Sequence, residues 1–226
     1  MREKLLIQFL NEIEPTLDEL YIVGDLFDFW CEYNTTIPKG FVRILGKLAD
    51  LSDKGIAIKF FTGNHDMWMN GYFEKELNIP VYHKPISVAI GDKQFLIGHG
   101  DGLGPGDKGY KRLKKIFRNP FCQWLFRLIH PDIGIGIASY FSKRSRYANG
   151  EQLEKFESEE DEWLFQYAKR RLEHAHFDYF IFGHRHLPLD LKISENSRYV
   201  NLGDWLNYNS YAVFNGENLE LKYYKP

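Results

Sequence analysis

The apolar positions of the chain alternate between a helical spacing and short continuous runs. Apolar residues recur every three or four positions over 5–13 and 41–51, which predicts two amphipathic helices. Continuous apolar runs at 20–23 and 56–61 predict buried strands. Helices that alternate with buried strands are typical of an α/β fold, in which functional loops gather at the carboxyl ends of the strands. We therefore expect functional loops directly after these strands.

The pattern changes after residue 84. Residues 87–90 and 94–97 flank Gly91-Asp92-Lys93 in the manner of a β-hairpin. Residues 106–175 are almost entirely helical in pattern, and we expect them to form a helical insertion, or cap, within a single domain of residues 1–226. The remaining apolar runs predict short strands at 179–182, 189–193, 199–202, 211–214 and 219–224. The predicted fold class is thus α/β, with layered β-sheets flanked by helices.

Composition excludes several classes of protein. A hydrophobic fraction of 44% and an aromatic fraction of 16% exclude a disordered chain. Cys31 and Cys122 are too few for a disulfide framework, and the N-terminus does not resemble a signal peptide. The longest mostly apolar stretch, 133–141, is half the length needed to cross a bilayer. These features predict a soluble cytoplasmic protein.

Charge is unevenly distributed along the chain, although the formal net charge is only −2. Residues 108–127 contain seven Lys or Arg and no acid, whereas 151–162 contain seven acids and one Lys. This asymmetry predicts a local basic surface, and the alternative is an ordinary solvated helix face. Nuclease activity has little support, because the net charge is slightly negative and the basic cluster is short.

Four clusters of Asp, Asn and His residues each contain glycine, and nearly all follow a predicted strand. They are Gly24-Asp25-Leu26-Phe27-Asp28, Gly63-Asn64-His65-Asp66, Gly98-His99-Gly100-Asp101 and Gly183-His184-Arg185-His186. A single Gly-Asp is usually a turn, and a single His at a strand end is usually a hydrogen-bonded structural residue. Oxygen and imidazole ligands, however, suit divalent ions such as Mn, Fe and Zn. Four clusters in order predict a two-metal phosphoesterase site.

These clusters closely resemble the calcineurin-like metallophosphoesterase superfamily. Its pattern runs Asp-x-His, Gly-Asp-x-x-Asp, Gly-Asn-His-Asp/Glu, Gly-His and Gly-His-x-His, and the last four occur here in order. The resemblance implies that Asp25 bridges two divalent ions. It also implies that Asn64, His99 and His184 complete one metal site and that His186 belongs to the other.

The same resemblance assigns the acid–base residues. His65 would protonate the leaving oxygen, and Asp28 would pair with it. An imidazole acid requires a carboxylate that fixes its tautomer, which is consistent with this assignment. Asp66 and Asp101 are expected to orient ligand imidazoles or loops.

The Asp-x-His motif of the superfamily does not occur in this sequence. In the superfamily this motif ends the first strand, before a helix like the one predicted at residues 2–12. We therefore expect that Met1 is an internal start or a truncation, and that the first strand and two ligands of one site are absent. On that expectation, the chain as given binds one ion more tightly than the other and its activity is impaired.

Within the superfamily, the chain is most similar to the UDP-2,3-diacylglucosamine hydrolase family of lipid A synthesis. The residues that carry this resemblance are 24–30, 99–103, Asp107-x-Gly109-Tyr110 and 142–146. The resemblance implies cleavage of the substrate diphosphate to UMP and 2,3-diacylglucosamine 1-phosphate, with two divalent ions, most often Mn²⁺. A well-known branch of that family often has Arg where His65 stands here. The substrate-binding candidates are Asn64, Asp107, Tyr110, Ser145 and Arg146.

The helical insertion has an amphipathic pattern of its own. Its apolar positions at helical spacing are Leu113, Ile116, Phe117, Phe121, Trp124, Leu125, Leu128 and Ile129. Basic residues occupy the other face, and such an element suits an anionic lipid or a membrane surface. The family resemblance implies that the insertion caps the metal centre and holds the acyl chains, and the pattern agrees with it. We also expect the protein to lie peripherally on the cytoplasmic face of the inner membrane. The alternative is a helix pair that faces an ordinary core.

Two other functions fit the same motifs. A nucleotide phosphodiesterase would share the metal centre but would lack a lipid-sized apolar pocket under the insertion. A binding module with the same fold and impaired catalysis is the second alternative, which the missing Asp-x-His permits. The sequence indicates no nucleic-acid partner and no protein partner.

Overall fold

The computed structural model describes residues 2–105, 108–150 and 155–225, and it describes the side chains of all these except 143–150. The described residues form two compact units. The first unit contains residues 2–83 and 108–150, and the second contains residues 84–105 and 155–225.

The first unit is built on a small parallel sheet. Its elements in chain order are α1 (Arg2–Ile13), a 3₁₀ helix (Glu14–Thr16), β1 (Glu19–Ile22), α2 (Val42–Asp53), β2 (Ala57–Phe61), α3 (Tyr72–Glu76), β3 (Val81–Tyr82), α4 (Lys108–Phe117), α5 (Pro120–Arg127) and α6 (Pro131–Gly150). The strand order is β1-β2-β3, with both pairs parallel. The predicted α1, β1, α2 and β2 are confirmed, whereas the sequence pattern did not reveal the short α3 and β3.

An aromatic core fixes the loop that follows β1. Phe27 and Trp30, both essentially fully buried, stack with their ring centroids 4.4 Å apart. Phe60 of β2 and Phe73 of α3 pack against Phe27 at 6.4 and 6.0 Å. The indole of Trp30 donates a 3.0 Å hydrogen bond to buried Glu32. Aromatic burial of this kind is worth several kcal/mol, so the chain after β1 has little freedom to move.

The second unit is built on a mixed sheet. Its elements are β4 (Ile86–Ile90), β5 (Lys93–Gly98), α7 (Trp163–Leu172), β6 (Tyr179–Phe182), β7 (Pro188–Ser194), β8 (Ser197–Leu202), β9 (Ser210–Phe214) and β10 (Leu219–Tyr223). The strand order is β4-β5-β6-β8-β7; β5, β6 and β8 are mutually parallel, and β4 and β7 are antiparallel edges. β9 and β10 form a separate antiparallel pair. The predicted hairpin and the later strands are confirmed.

The apolar face of α7 supplies much of the core of the second unit. Leu164, Phe165 and Ala168 are fully buried and belong to one cluster with Phe180 and Phe182 of β6. Their spacing along the helix places them on one face, as an amphipathic pattern requires.

The described part of the region predicted to be helical contains four helices, α4 to α7. Between α6 and α7, the described residues 155–162 are not helical. A hydrogen bond of 2.7 Å from Ser158 to Asp161 closes a turn there. Neighbouring acidic side chains repel one another in a helix, which accounts for the interruption. Among the described residues, no helix combines the length and apolar character needed to span a membrane.

Candidate metal centre

In the first unit, two predicted ligand loops lie at the same sheet edge, because β1 and β2 are adjacent and parallel. Asp25 follows β1, and Asn64 follows β2. The backbone N–H of His65 donates a 2.8 Å hydrogen bond to Oδ1 of Asp25, so the two loops are joined directly. Asp25 has φ +54°, a left-handed conformation that is uncommon for a residue with a side chain. Such strain concentrates at functional sites.

Gly63 lies against Asp25 so closely that no other residue fits. A Cβ atom at position 63 would lie 2.1 Å from Oδ1 of Asp25 and 2.7 Å from its backbone N. Both distances are far below van der Waals contact. The glycine of the second cluster therefore allows the Asp25 carboxylate to occupy its position.

The side chain of Asp66 links the same two loops through hydrogen bonds to their backbones. Its side chain is fully buried, and it accepts hydrogen bonds from the backbone N–H of Gly63 at 2.6 Å and from that of Leu26 at 2.9 Å. The predicted loop-orienting role of Asp66 is confirmed by these two bonds. Because the Gly63 amide is buried, losing its acceptor would leave an unpaired donor in the core.

His65, the predicted general acid, contacts the helical segment of its own unit. Its Nδ1 lies 2.8 Å from the Ser142 hydroxyl on α6, and that hydroxyl lies 2.5 Å from the main-chain carbonyl oxygen of Asp28. The acid role of His65 and its pairing with the Asp28 carboxylate stay predictions. Ser142 was not a sequence candidate, because nothing in the helical pattern distinguishes it from other serines.

In the second unit, three loops follow parallel strands. His99 follows β5 and His184 lies two residues after β6, so both reach the same edge of the sheet. Their ring centroids are 5.2 Å apart, and one nitrogen of each ring lies within 4.8 Å of the other. His99 is buried, and His184 has φ +65°. Two imidazole nitrogens at this separation suit ligands of one divalent ion.

A buried polar network holds the loop that carries His184. Asn201 of β8 donates a 2.7 Å hydrogen bond to the carbonyl of Gly183. Arg185 forms an ion pair of 3.3 Å with Glu162, which is 2% exposed. The Tyr199 hydroxyl donates to Glu162 at 3.1 Å, and burial together with this carboxylate raises the pKa of Tyr199 well above its usual value. The phenol consequently remains a hydrogen-bond donor to Glu162.

Asp204 orients His186, the last predicted ligand. Its carboxylate lies 3.2 Å from Nδ1 of His186 and also accepts backbone hydrogen bonds from Leu206 and Asn207. Burial raises the pKa of Asp204, but the bonds from His186, Asn207 and Tyr208 outweigh burial, so the pKa is lowered overall. A carboxylate that holds Nδ1 of a histidine fixes the orientation of the ring, and Nε2 of His186 could then bind a metal ion.

Sequence reasoning missed Asp204, although a signal was present. Gly203-Asp204 follows β8, which is parallel to β6, so this loop reaches the same edge as His184. The Gly-Asp pair after a strand repeats the pattern of the first cluster. The strand at 199–202 was predicted, whereas no role was predicted for the loop after it.

Replacing Asp204 with Asn should weaken metal binding, because a carboxylate behind a ligand histidine typically contributes about 10–100-fold in metal affinity. Titration of the metal-free protein with Mn²⁺ measures the change. Asp190→Asn is the matched control, since Asp190 pairs with Arg198 at a partly exposed position in the same sheet. Equal affinities for both variants and the wild type would show that Asp204 has no orienting role.

The substrate candidates are only partly described. Asn64 lies in the loop after β2, and Tyr110 lies on α4. Asp107 lies outside the described residues, as do the side chains of Ser145 and Arg146. Their roles stay predictions.

The donors of the two units suit divalent metal ions. The first unit offers a carboxylate and an amide oxygen on loops joined by hydrogen bonds. The second offers three imidazoles on loops held by buried polar groups. Mixed oxygen and imidazole sets are typical of Mn, Fe and Zn sites.

The profile of the calcineurin-like phosphoesterase family matches residues 3–188. The chain therefore belongs to this family, whose members are metal-dependent hydrolases, and its mixed α/β sheets flanked by helices agree with the family fold.

The chain is also similar in sequence to a particular group of hydrolases. The chain is 39% identical to the UDP-2,3-diacylglucosamine hydrolase of Porphyromonas gingivalis, over 97% of this chain and 88% of that protein. It is 28% identical to the protein of the same name from Aeromonas salmonicida, over 92% of this chain and 81% of that protein. The predicted resemblance to this group of hydrolases is confirmed.

Proposed function

We propose that this protein hydrolyses the diphosphate of UDP-2,3-diacylglucosamine to UMP and 2,3-diacylglucosamine 1-phosphate. The observation that carries the proposal is the 39% identity to a hydrolase of that name across nearly the whole chain. The donor residues described above are those that a metal-dependent diphosphate hydrolase needs.

The proposed metal ligands come from four loops. Asp25, Asn64, His99 and His184 would hold one divalent ion, and Asp25 together with His186 would hold the second. We propose Mn²⁺ as the usual ion, because the donors are oxygens and imidazoles without thiolates. When bound, two divalent ions activate a water molecule and neutralise the charge of the diphosphate.

His65 supplies the proton in this proposal. Breaking the diphosphate bond leaves a sugar 1-phosphate oxygen that gains negative charge, and a positioned imidazolium can protonate it. General acid catalysis of this kind typically contributes about 10²–10⁴-fold in rate. Asp28 stabilises the charged ring, and Asn64 contacts the substrate as well as the ion. Asp107, Tyr110, Ser145 and Arg146 are proposed to bind the polar parts of the substrate.

The exposed apolar surface of α4 and α5 supports a lipid substrate. Among the described residues of these two helices, none is buried. The eight predicted stripe residues, which run from Leu113 to Ile129, are between 37% and 66% exposed. A helix pair that faces an ordinary core usually buries such side chains, so their exposure supports the lipid-facing interpretation of the stripe. We propose that this surface holds the acyl chains.

The same surface supports a location at a membrane. Ile133, Ile137, Tyr140 and Phe141 extend the exposed apolar area along α6. Seven basic residues within 108–127 favour anionic lipid headgroups. We therefore propose a peripheral association with the cytoplasmic face of the inner membrane, where an acylated substrate resides.

A double substitution of exposed apolar residues tests the lipid-binding role. Phe121→Ser with Leu128→Ser should raise KM for the acylated substrate by about tenfold or more, because each side chain contributes roughly 1.5–3 kcal/mol when buried. Hydrolysis of an unacylated UDP-sugar should be unaffected. Val42→Ser on α2 is the matched control, since Val42 is 77% exposed in the same unit.

Two outcomes would contradict this assignment. An unchanged KM for the acylated substrate would remove the role of α4 and α5 in binding lipid. Rapid hydrolysis of a simple aryl phosphodiester, with no hydrolysis of the acylated nucleotide sugar, would favour a nucleotide phosphodiesterase.

A further inference from the structure

The Ser142 hydroxyl lies between two groups of the first unit. On one side is Nδ1 of His65 at 2.8 Å, and on the other is the main-chain carbonyl oxygen of Asp28 at 2.5 Å. Ser142 lies on α6, 77 residues after His65, so this contact is a property of the fold and not of the local sequence.

The direction of both hydrogen bonds follows from the number of protons available. The carbonyl oxygen of Asp28 can only accept, so the single hydroxyl proton of Ser142 must point toward it. The Ser142 oxygen is then left with lone pairs only, and it can bond to Nδ1 of His65 only as an acceptor. Nδ1 must therefore carry a proton, and Nε2 is the free nitrogen of the neutral ring.

We propose that Ser142 is a positioning residue for His65. It selects the tautomer protonated at Nδ1 and fixes the plane of the ring, so that Nε2 is the nitrogen that exchanges a proton with the substrate. This inference rests on the proposed catalytic role of His65. Helix α6 would then position a catalytic side chain, which is a function separate from lipid binding.

Packing of the helical segment fixes the position of Ser142. A Cβ atom at Gly134 of α6 would lie 2.3 Å from the Tyr33 hydroxyl, so the helix lies directly against the loop after β1. Trp68, in the loop after β2, packs edge-on against Phe126 at 4.6 Å and donates a hydrogen bond to the carbonyl of Phe117 at 2.8 Å. These contacts hold α4, α5 and α6 against the loop after β1 and against the loop after β2, which contains His65. Sliding α6 by one turn would move Ser142 by about 5 Å and break the bond.

The test uses nitrogen NMR of the His65 ring in the metal-free protein, at a pH of about 9 where a free imidazole is neutral. The wild type should show the proton on Nδ1. Ser142→Ala should shift the ring to a mixture of tautomers or to the Nε2-protonated form, and Ser142→Thr, which keeps the hydroxyl, should restore the wild-type signal. Ser139→Ala is the matched control, because Ser139 lies three residues earlier on the same helix.

Kinetics with the acylated substrate provide the second readout. Ser142→Ala should lower kcat by about tenfold with little change in KM. A tenfold loss of kcat is a part of the rate enhancement that a general acid usually contributes. Ser142→Thr should recover most of the loss, and Ser139→Ala should match the wild type.

Three results would overturn the inference: a wild-type ring protonated at Nε2, a Ser142→Ala ring that keeps its tautomer, or a shifted tautomer with kcat unchanged. A failure of the proposed function is distinguishable, because a protein without hydrolase activity would still report its His65 tautomer. In that case, Nδ1 protonation that depends on Ser142 would still show that Ser142 positions the His65 ring. The proposed catalytic role of His65 would then be wrong.

Discussion

Replacing His184 with glycine should reduce hydrolysis of the proposed substrate by at least about a thousandfold, the scale expected when a charge-stabilising ligand is lost from a metal centre. The free energy of unfolding should change by less than about 1 kcal/mol, because glycine adopts the left-handed conformation of position 184 without a steric cost. The glycine variant thus lacks the imidazole ligand, and it also lacks the backbone strain that a side chain causes at position 184. Activity assays together with denaturant unfolding measure both quantities.

His184→Ala is the matched control for this result. It also lacks the imidazole but keeps a side chain at φ +65°, so it should be as inactive as the glycine variant and less stable. A glycine variant with activity within about tenfold of the wild type would be incompatible with a ligand role, because removing one charge-stabilising group usually costs more than this.

The second large effect is expected at Gly63. Gly63→Ala places a methyl group 2.1 Å from Oδ1 of Asp25, so either the carboxylate or the loop must move. We expect a loss of metal affinity of at least about a hundredfold, since ligand geometry must be held within a few tenths of an ångström. Overpacking at such a position also costs about 1–3 kcal/mol of stability. Metal titration and thermal unfolding measure the two effects.

Gly46→Ala provides the comparison for Gly63→Ala. Gly46 lies inside α2, and no atom outside the helix's own nearby backbone lies within 4 Å of a Cβ placed there. The same substitution should therefore leave metal binding unchanged and stabilise the protein by up to about 1 kcal/mol. If Gly63→Ala behaved like Gly46→Ala, the close approach to Asp25 would not be required for the site.

Most regular elements could be predicted because their apolar patterns are long or fully buried. The strand at Tyr179–Phe182 was predicted with its observed bounds, since four consecutive buried residues leave no ambiguity. The short α3 and β3 could not be found. Helix Tyr72–Glu76 has only five residues and depends on tertiary packing of Phe73, and strand Val81–Tyr82 has only two.

The candidate ligands could be proposed because each lies beside or near a glycine in a loop at the end of a strand. The residues that orient these ligands were harder to predict, because their positions depend on which strands are neighbours in the sheet. Asp204 reaches the edge with His184 only because β8 pairs with β6, and sequence order does not reveal that pairing. Ser142 joins His65 across 77 residues. Glu162 belongs to an acidic stretch, and only its burial distinguishes it from its neighbours.

We propose that this protein is a metal-dependent hydrolase of an acylated nucleotide diphosphate sugar. The most direct measurement is the release of UMP from UDP-2,3-diacylglucosamine by metal-stripped protein, before and after addition of Mn²⁺. We expect no release without the ion, and release of UMP and 2,3-diacylglucosamine 1-phosphate in equal amounts once the ion is added. Release of UMP that does not depend on a divalent ion, or no release with any divalent ion tested, would contradict it.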